Sequence, residues 1–148
     1  MTSGEHSIDI DITPGTEAAR NWILSSWLRS NHDGGNGFWR GATDQAYWFN
    51  QSLLASKLLR ESETLIATLA GEPDLFVGYV VWKRDVLHYV YVKAAYRRDG
   101  VATRLLEFCK LADFGKIDTC THLGRDNAWL TRRGITYNPY ALMLKEFK

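Results

Sequence analysis

Residues 86–106, Val-Leu-His-Tyr-Val-Tyr-Val-Lys-Ala-Ala-Tyr-Arg-Arg-Asp-Gly-Val-Ala-Thr-Arg-Leu-Leu, constrain the fold more than any other stretch of this chain. A β-rich run, Val86 to Val92, passes through a basic, glycine-containing loop into an amphipathic helix whose Leu105 and Leu106 suit packing on a sheet. A strand that empties into a helix start leaves several backbone N–H groups unpaired, and the positive end of the helix dipole points the same way. Such a place is an anion site, and a diphosphate is its usual guest. Gly100 lets the backbone approach a ligand closely, and Ala102 is too small to block it. Arg97 and Arg98 add charge-assisted donors. The same residues also read as an ordinary strand-to-helix turn with solvated arginines and no ligand.

The spacing Arg97-x-x-Gly100-x-Ala102 resembles the acyl-CoA pyrophosphate loop of the GNAT superfamily, the Gcn5-related N-acetyltransferases. The order of predicted elements agrees. Ile8 to Ile12 alternates as a strand, and a helix follows from Thr16 to about Ser30. His32 to Gly37 is glycine-rich and predicts a loop, and Thr43 to Ser62 predicts a second helix. Three strands come next (64–69, 75–82, 86–92), then a helix from Gly100 to Phe114 with Leu105, Leu106, Cys109 and Ala112 inward. A strand over 117–122, a short helix over 126–133 and a final strand over 140–146 complete the chain. A meander followed by a crossover predicts an α/β fold, a GNAT-like mixed central sheet flanked by helices on both faces.

The 148 residues predict one domain, 1–148, long enough to bury a core. No apolar run approaches the ~20 residues of a membrane span, and the polar Met1–Asp11 segment does not resemble a secretory leader. Cys109 and Cys120 lack metal or redox spacing and read as small buried hydrophobes, so a reduced, cytoplasmic location is expected. His6, His32, His88 and His122 are dispersed, which predicts no metal site. Charge is unevenly placed: residues 1–74 carry five basic against ten acidic side chains, and residues 75–148 thirteen against seven. A positive C-terminal half suits an anionic ligand. Nucleic acid is the rival anion, through Arg97, Arg98, Arg104, Arg125, Arg132 and Arg133. The scattered placement of these arginines counts against it.

The resemblance implies a cofactor, a reaction and a set of residues. Acetyl-CoA, or another acyl-CoA, would lie beside the strand 86–92, with backbone groups of Val90, Tyr91 and Val92 bonding its pantetheine arm as an added strand would. Arg97, Arg98, Asp99, Gly100, Val101, Ala102 and Thr103 would cradle the diphosphate. The implied partner is an amine-bearing acceptor, a small molecule or a protein, whose uncharged amine attacks the thioester directly. An amine of pKa ~10.4 must first lose a proton. His88, which by alternation shares the face of Val86, Val90 and Val92, is one candidate base, and Asp85 another. The alternatives are a half-buried strand histidine held by a partner and an ordinary turn aspartate. Phe38, Trp39 and Asp33, beside the flexible glycines, are candidates for the acceptor wall.

Two departures from the family pattern stand out. Leu130 occupies the place where many members have a tyrosine that protonates the departing thiolate, and Leu123 occupies that of a common asparagine. A GNAT-fold binding or structural module without turnover is therefore the alternative function. A strand edge near the C-terminus suits a homodimer without requiring one.

Overall fold

The computed structural model describes residues 8–36, 41–112, 117–124 and 129–141. Its elements are β1 (Ile10–Pro14), α1 (Glu17–Gly34), β2 (Gly35–Asn36), α2 (Asp44–Glu61), β3 (Glu63–Leu69), β4 (Glu72–Lys83) and β5 (Val86–Val92). A 3-10 turn (Ala94–Tyr96) leads to α3 (Val101–Ala112), followed by β6 (Thr119–Cys120), β7 (Leu123–Gly124), α4 (Trp129–Arg132) and β8 (Thr136–Tyr137).

Six strands form one mixed sheet in the order β1-β3-β4-β5-β6-β8, while β2 and β7 make a separate two-stranded ribbon. The β1, β3, β4 and β5 pairings are antiparallel, and β6 joins β5, and β8 joins β6, in parallel. Each sheet face carries its own core. Val80, Leu87 and Val90 pack with Val101, Leu105, Leu106 and Cys109 of α3 on one face. Tyr79, Val81 and Tyr89 pack with Ile23 and Trp27 of α1 and Ala55 and Leu58 of α2 on the other. Leu105 and Leu106 are fully buried, each stabilising the fold by roughly 1.5–3 kcal/mol. Cys109 and Cys120 are both buried, as their surroundings in the sequence predicted, and Cys109 Sγ donates to Leu106 C=O at 3.2 Å. Helices on both faces of a mixed sheet is the architecture expected.

Local signals account for several boundaries. Thr43 caps α2, its side chain accepting the Ala46 N–H at 3.2 Å. Gly71, with φ of 77°, turns β3 into β4. One expectation needs correction. His32 to Gly34 are not loop but the last residues of α1, because His32 bridges Asp33 and Asp44 and stacks on Trp48. The outer parallel strand is Thr136–Tyr137, where Thr136 N–H donates to Asp118 C=O and Asn138 N–H to Cys120 C=O. The strand expected over 140–146 falls almost wholly outside the described residues. No helix among the described residues is long and apolar enough to cross a membrane.

Candidate active site

A single irregularity in β5 opens the site. Val81 pairs with Tyr89 but Trp82 pairs with Leu87, so His88 is an extra residue, a β-bulge. The bulge interrupts the side-chain alternation: Leu87, Val90 and Val92 face α3, whereas Tyr89 and Tyr91 face α1. Beyond it β5 parts from β6. Their register covers only Val86 and Leu87, and the Thr121 N–H to Leu87 C=O bond lies at the point of divergence. From Tyr89 onward β5 has β4 on one side and no strand of the described residues on the other.

A cleft of about 800 Å³ fills this divergence. One wall is α1, through Ser26, Arg29, Ser30, Asp33 and Gly34. The floor is Tyr89 to Val92, and the far end is the loop and first turn leading into α3, with Trp129 also contributing. In that loop Arg98 (φ 71°) and Gly100 (φ 78°) both take left-handed backbone, on either side of Asp99. Alternating backbone hand curls successive N–H groups into a concavity that suits an anion. Gly100 is the residue such a φ favours, and a β-carbon built there meets nothing within 4 Å, so the space above it is open. Arg97 Nε donates to Val92 C=O at 2.9 Å, and its guanidinium lies 5.8 Å from the Tyr91 ring centre. The sequence motif and the strand edge are thus tied together by one side chain.

The aromatic side of the floor is ordered by stacking. Trp27 stacks on Tyr89 at 5.2 Å, and Tyr89 hydroxyl bonds Ser30 Oγ. Burial pushes the Tyr89 phenol well above its ordinary pKa, so it stays neutral. Beneath it runs a buried polar chain that sequence reading did not find. Gln51 Nε2 lies 3.0 Å from His122 Nε2, His122 Nδ1 is 2.9 Å from Thr121 Oγ1, and Thr121 Oγ1 is 3.0 Å from His88 Nδ1. His122 also meets Trp27 and Tyr89 edge-on. Burial, then the neighbouring His88, lowers the His122 pKa to about 3.

Of the residues expected at the cofactor site, Val90, Tyr91, Val92, Arg97, Arg98, Gly100, Val101, Ala102 and Thr103 all line the one cleft, and Asp99 alone does not. Asp33 lines the cleft as well, whereas Phe38 and Trp39 lie outside the described residues. The two candidate bases are placed elsewhere. His88 is 3% exposed, bonded to Thr121 and absent from the cleft lining. Because of the bulge it does not follow the simple alternation with Val86, Val90 and Val92. Asp85 is exposed at the opposite end of β5, where its C=O accepts the Asp118 and Thr119 N–H groups. Leu130 is core, 1% exposed, and it is its neighbour Trp129 that reaches the cleft. Ser26, Arg29 and Ser30 were missed, although with Asp33 they stand at i, i+3, i+4 and i+7 on one helix face. Among the described residues no group of three or more His, Cys, Asp or Glu side chains could hold a metal ion.

The splayed parallel strands, the bulge and the basic turn into α3 define the class: the fold is that of the GCN5-related N-acetyltransferases. A Rhodopseudomonas palustris structure described as a GCN5-related N-acetyltransferase superposes with a TM-score of 0.60 at 19% identity, covering 86% of this chain and 81% of that one. The apo form of YjaB from Escherichia coli gives 0.52 at 19% identity, covering 71% and 67%. A possible acetyltransferase from Clostridium difficile 630 gives 0.50 at 15% identity, covering 87% and 91%. No family model matches the sequence, and no curated protein is significantly similar to it.

Proposed function

We propose that this chain is an acyl-CoA-dependent N-acyltransferase that moves an acetyl group to a primary amine by direct attack. The observation that carries the reading is the convergence of nine expected residues on one cleft, at the divergence of β5 and β6. The donor set fits the cofactor: a left-handed, glycine-containing loop at a helix start for the diphosphate, and a side of β5 that no strand of the described residues covers for the extended arm.

When bound, acyl-CoA supplies an acyl group activated as a thioester, which an uncharged amine can attack. Lys93 N–H donates to Val77 C=O, so by alternation Val92 turns its backbone groups away from β4 and would hold the arm, and the N–H groups of residues 98–103, with the Arg98 side chain, the diphosphate. A backbone N–H of β5 pointing into the cleft would polarise the acyl carbonyl. Asp33 is the only carboxylate among the described lining residues. It would receive the amine as an ammonium ion and orient it while the proton passes to water in the open cleft. The hydroxyls of Ser30 and Tyr89, already bonded to each other, belong to residues that line the same cleft. His88 and Asp85 have no place in this arrangement.

Isothermal titration of acetyl-CoA into the protein tests the reading, beside a Gly100→Trp variant. The expected result is micromolar-range binding by the wild type and none by the variant. Absence of binding by the wild type overturns it. Binding without acetylation of any amine supports the second reading, a binding module without turnover, which the burial of Leu130 in place of an acid favours.

A further inference from the structure

The α1 wall of the cleft carries two opposite charges, one turn apart. We propose that the acceptor is a small zwitterion, an amino acid held with its carboxylate on Arg29 and its ammonium on Asp33. The proposal rests on the acyl-transfer reading and names its substrate class.

Both side chains line the cleft opposite Tyr89 and Tyr91, with Ser26 and Ser30 beside them. Arg29 donates from Nε to the Ser25 C=O at 3.4 Å and meets no carboxylate of the described residues. A guanidinium so placed offers its outer N–H groups as a fork that matches a carboxylate. Asp33 is held differently. Its Oδ1 lies 3.0 Å from His32 Nδ1, and His32 Nε2 lies 3.0 Å from Asp44 Oδ1. Both ring nitrogens of His32 face carboxylates, which favours the imidazolium, and the ring is stacked on Trp48 at 4.9 Å. The contact uses one oxygen of Asp33, whose side chain is 74% exposed, and leaves Oδ2 without a hydrogen bond from any described residue.

Side chains four apart on a helix have β-carbons about 6 Å from each other, so the two charged residues face the same part of the cleft and can be reached by one small ligand. An amine and a carboxylate on the same or neighbouring carbons meet that spacing. A polyamine would place a second cation against Arg29, and a simple monoamine would leave the guanidinium unused. The hydroxyls of Ser30 and Tyr89 add neutral partners near the same carboxylate and amine.

The test uses the full-length protein and saturation-transfer NMR with the common amino acids, their amides and their decarboxylated amines. Thiol release from acetyl-CoA is followed on the same set. The expected result is binding and turnover of at least one amino acid, with its amide at least tenfold weaker in kcat/KM. Arg29→Met should reduce kcat/KM for the amino acid at least tenfold and largely remove its preference over the amide. Asp33→Asn should weaken both acceptors. Amides or monoamines that bind as well as the amino acids, or Arg29→Met reducing all acceptors alike, would overturn the proposal. So would a protein that binds acetyl-CoA but no amino acid. Amino-acid binding that depends on Arg29 and Asp33 without acetyl-CoA binding would support the site and defeat the acyl-transfer reading instead.

Discussion

Acid should destabilise this protein through one histidine in particular. His122 is 2% exposed, wedged edge-on against Trp27 and Tyr89 and bonded to Gln51 and Thr121. Burial first, and His88 second, bring its pKa from 6.5 to about 3. The sign follows from proton uptake: between these two values the unfolded chain binds the proton and the folded chain does not. Stability is therefore complete above pH 6.5 and falls as the pH drops towards 3, by about 1.4 kcal/mol for each unit. From pH 7.5 to 4.5 the loss due to this one group is about 2.5 kcal/mol, or ~5–10 °C in Tm for a chain of this size. Urea denaturation at both pH values, on the wild type and on His122→Gln, reads the effect of His122 together with its coupling to His88, because titrating groups that do not interact with His122 cancel in the comparison. The variant should be less stable at pH 7.5 yet lose about 2.5 kcal/mol less on acidification. Equal pH dependence of the two proteins, or a His122 ring resonance that titrates near 6.5, would refute the reasoning.

Two further expectations test the frame around the cleft. A β-carbon at Gly78 would lie 2.6 Å from the Tyr91 C=O, so Gly78→Ala must push β4 and β5 apart beneath the cleft floor. A loss above about 2 kcal/mol and weaker acetyl-CoA binding are expected by thermal melting and titration, and an unchanged Tm would contradict the steric argument. His32 has its pKa raised, first by Asp33 and then by Asp44, so the contact from the end of α1 to the start of α2 is strongest below pH 6.5 and weakens as pH rises through the folded pKa. In an NMR titration its ring should inflect above 6.5 and move back towards that value in Asp44→Asn. No movement would mean that Asp44 does not hold the imidazolium.

The pattern of residues 86–106 was legible because each part of it acts locally. Alternation marks a strand, Gly100 permits a left-handed backbone, and Leu105, Leu106 and Cys109 recur at helical spacing. Asp33 was legible as a cleft residue for a similar reason, being a carboxylate beside a glycine-rich stretch. His88 misled because alternation counts residues, and a bulge adds one that the count cannot see. Neither could the chain Gln51–His122–Thr121–His88 be read in advance, since it joins α2 to the segment after β6 across 71 residues of sequence. The short strands β2, β7 and β8, of two residues each, carry too little alternation to announce themselves, and β6 keeps only Thr119–Cys120 of the strand expected over 117–122.

By itself, then, the sequence determined the order of the long elements, the two-faced sheet and the glycine-containing turn into α3, all of which follow from propensities and periods along the chain. Tertiary structure alone decided where β5 leaves β6, which charges of α1 share the resulting cleft, and which histidine is buried and which exposed. These depend on contacts between distant segments, and burial changes the chemistry of a side chain without changing its place in the sequence.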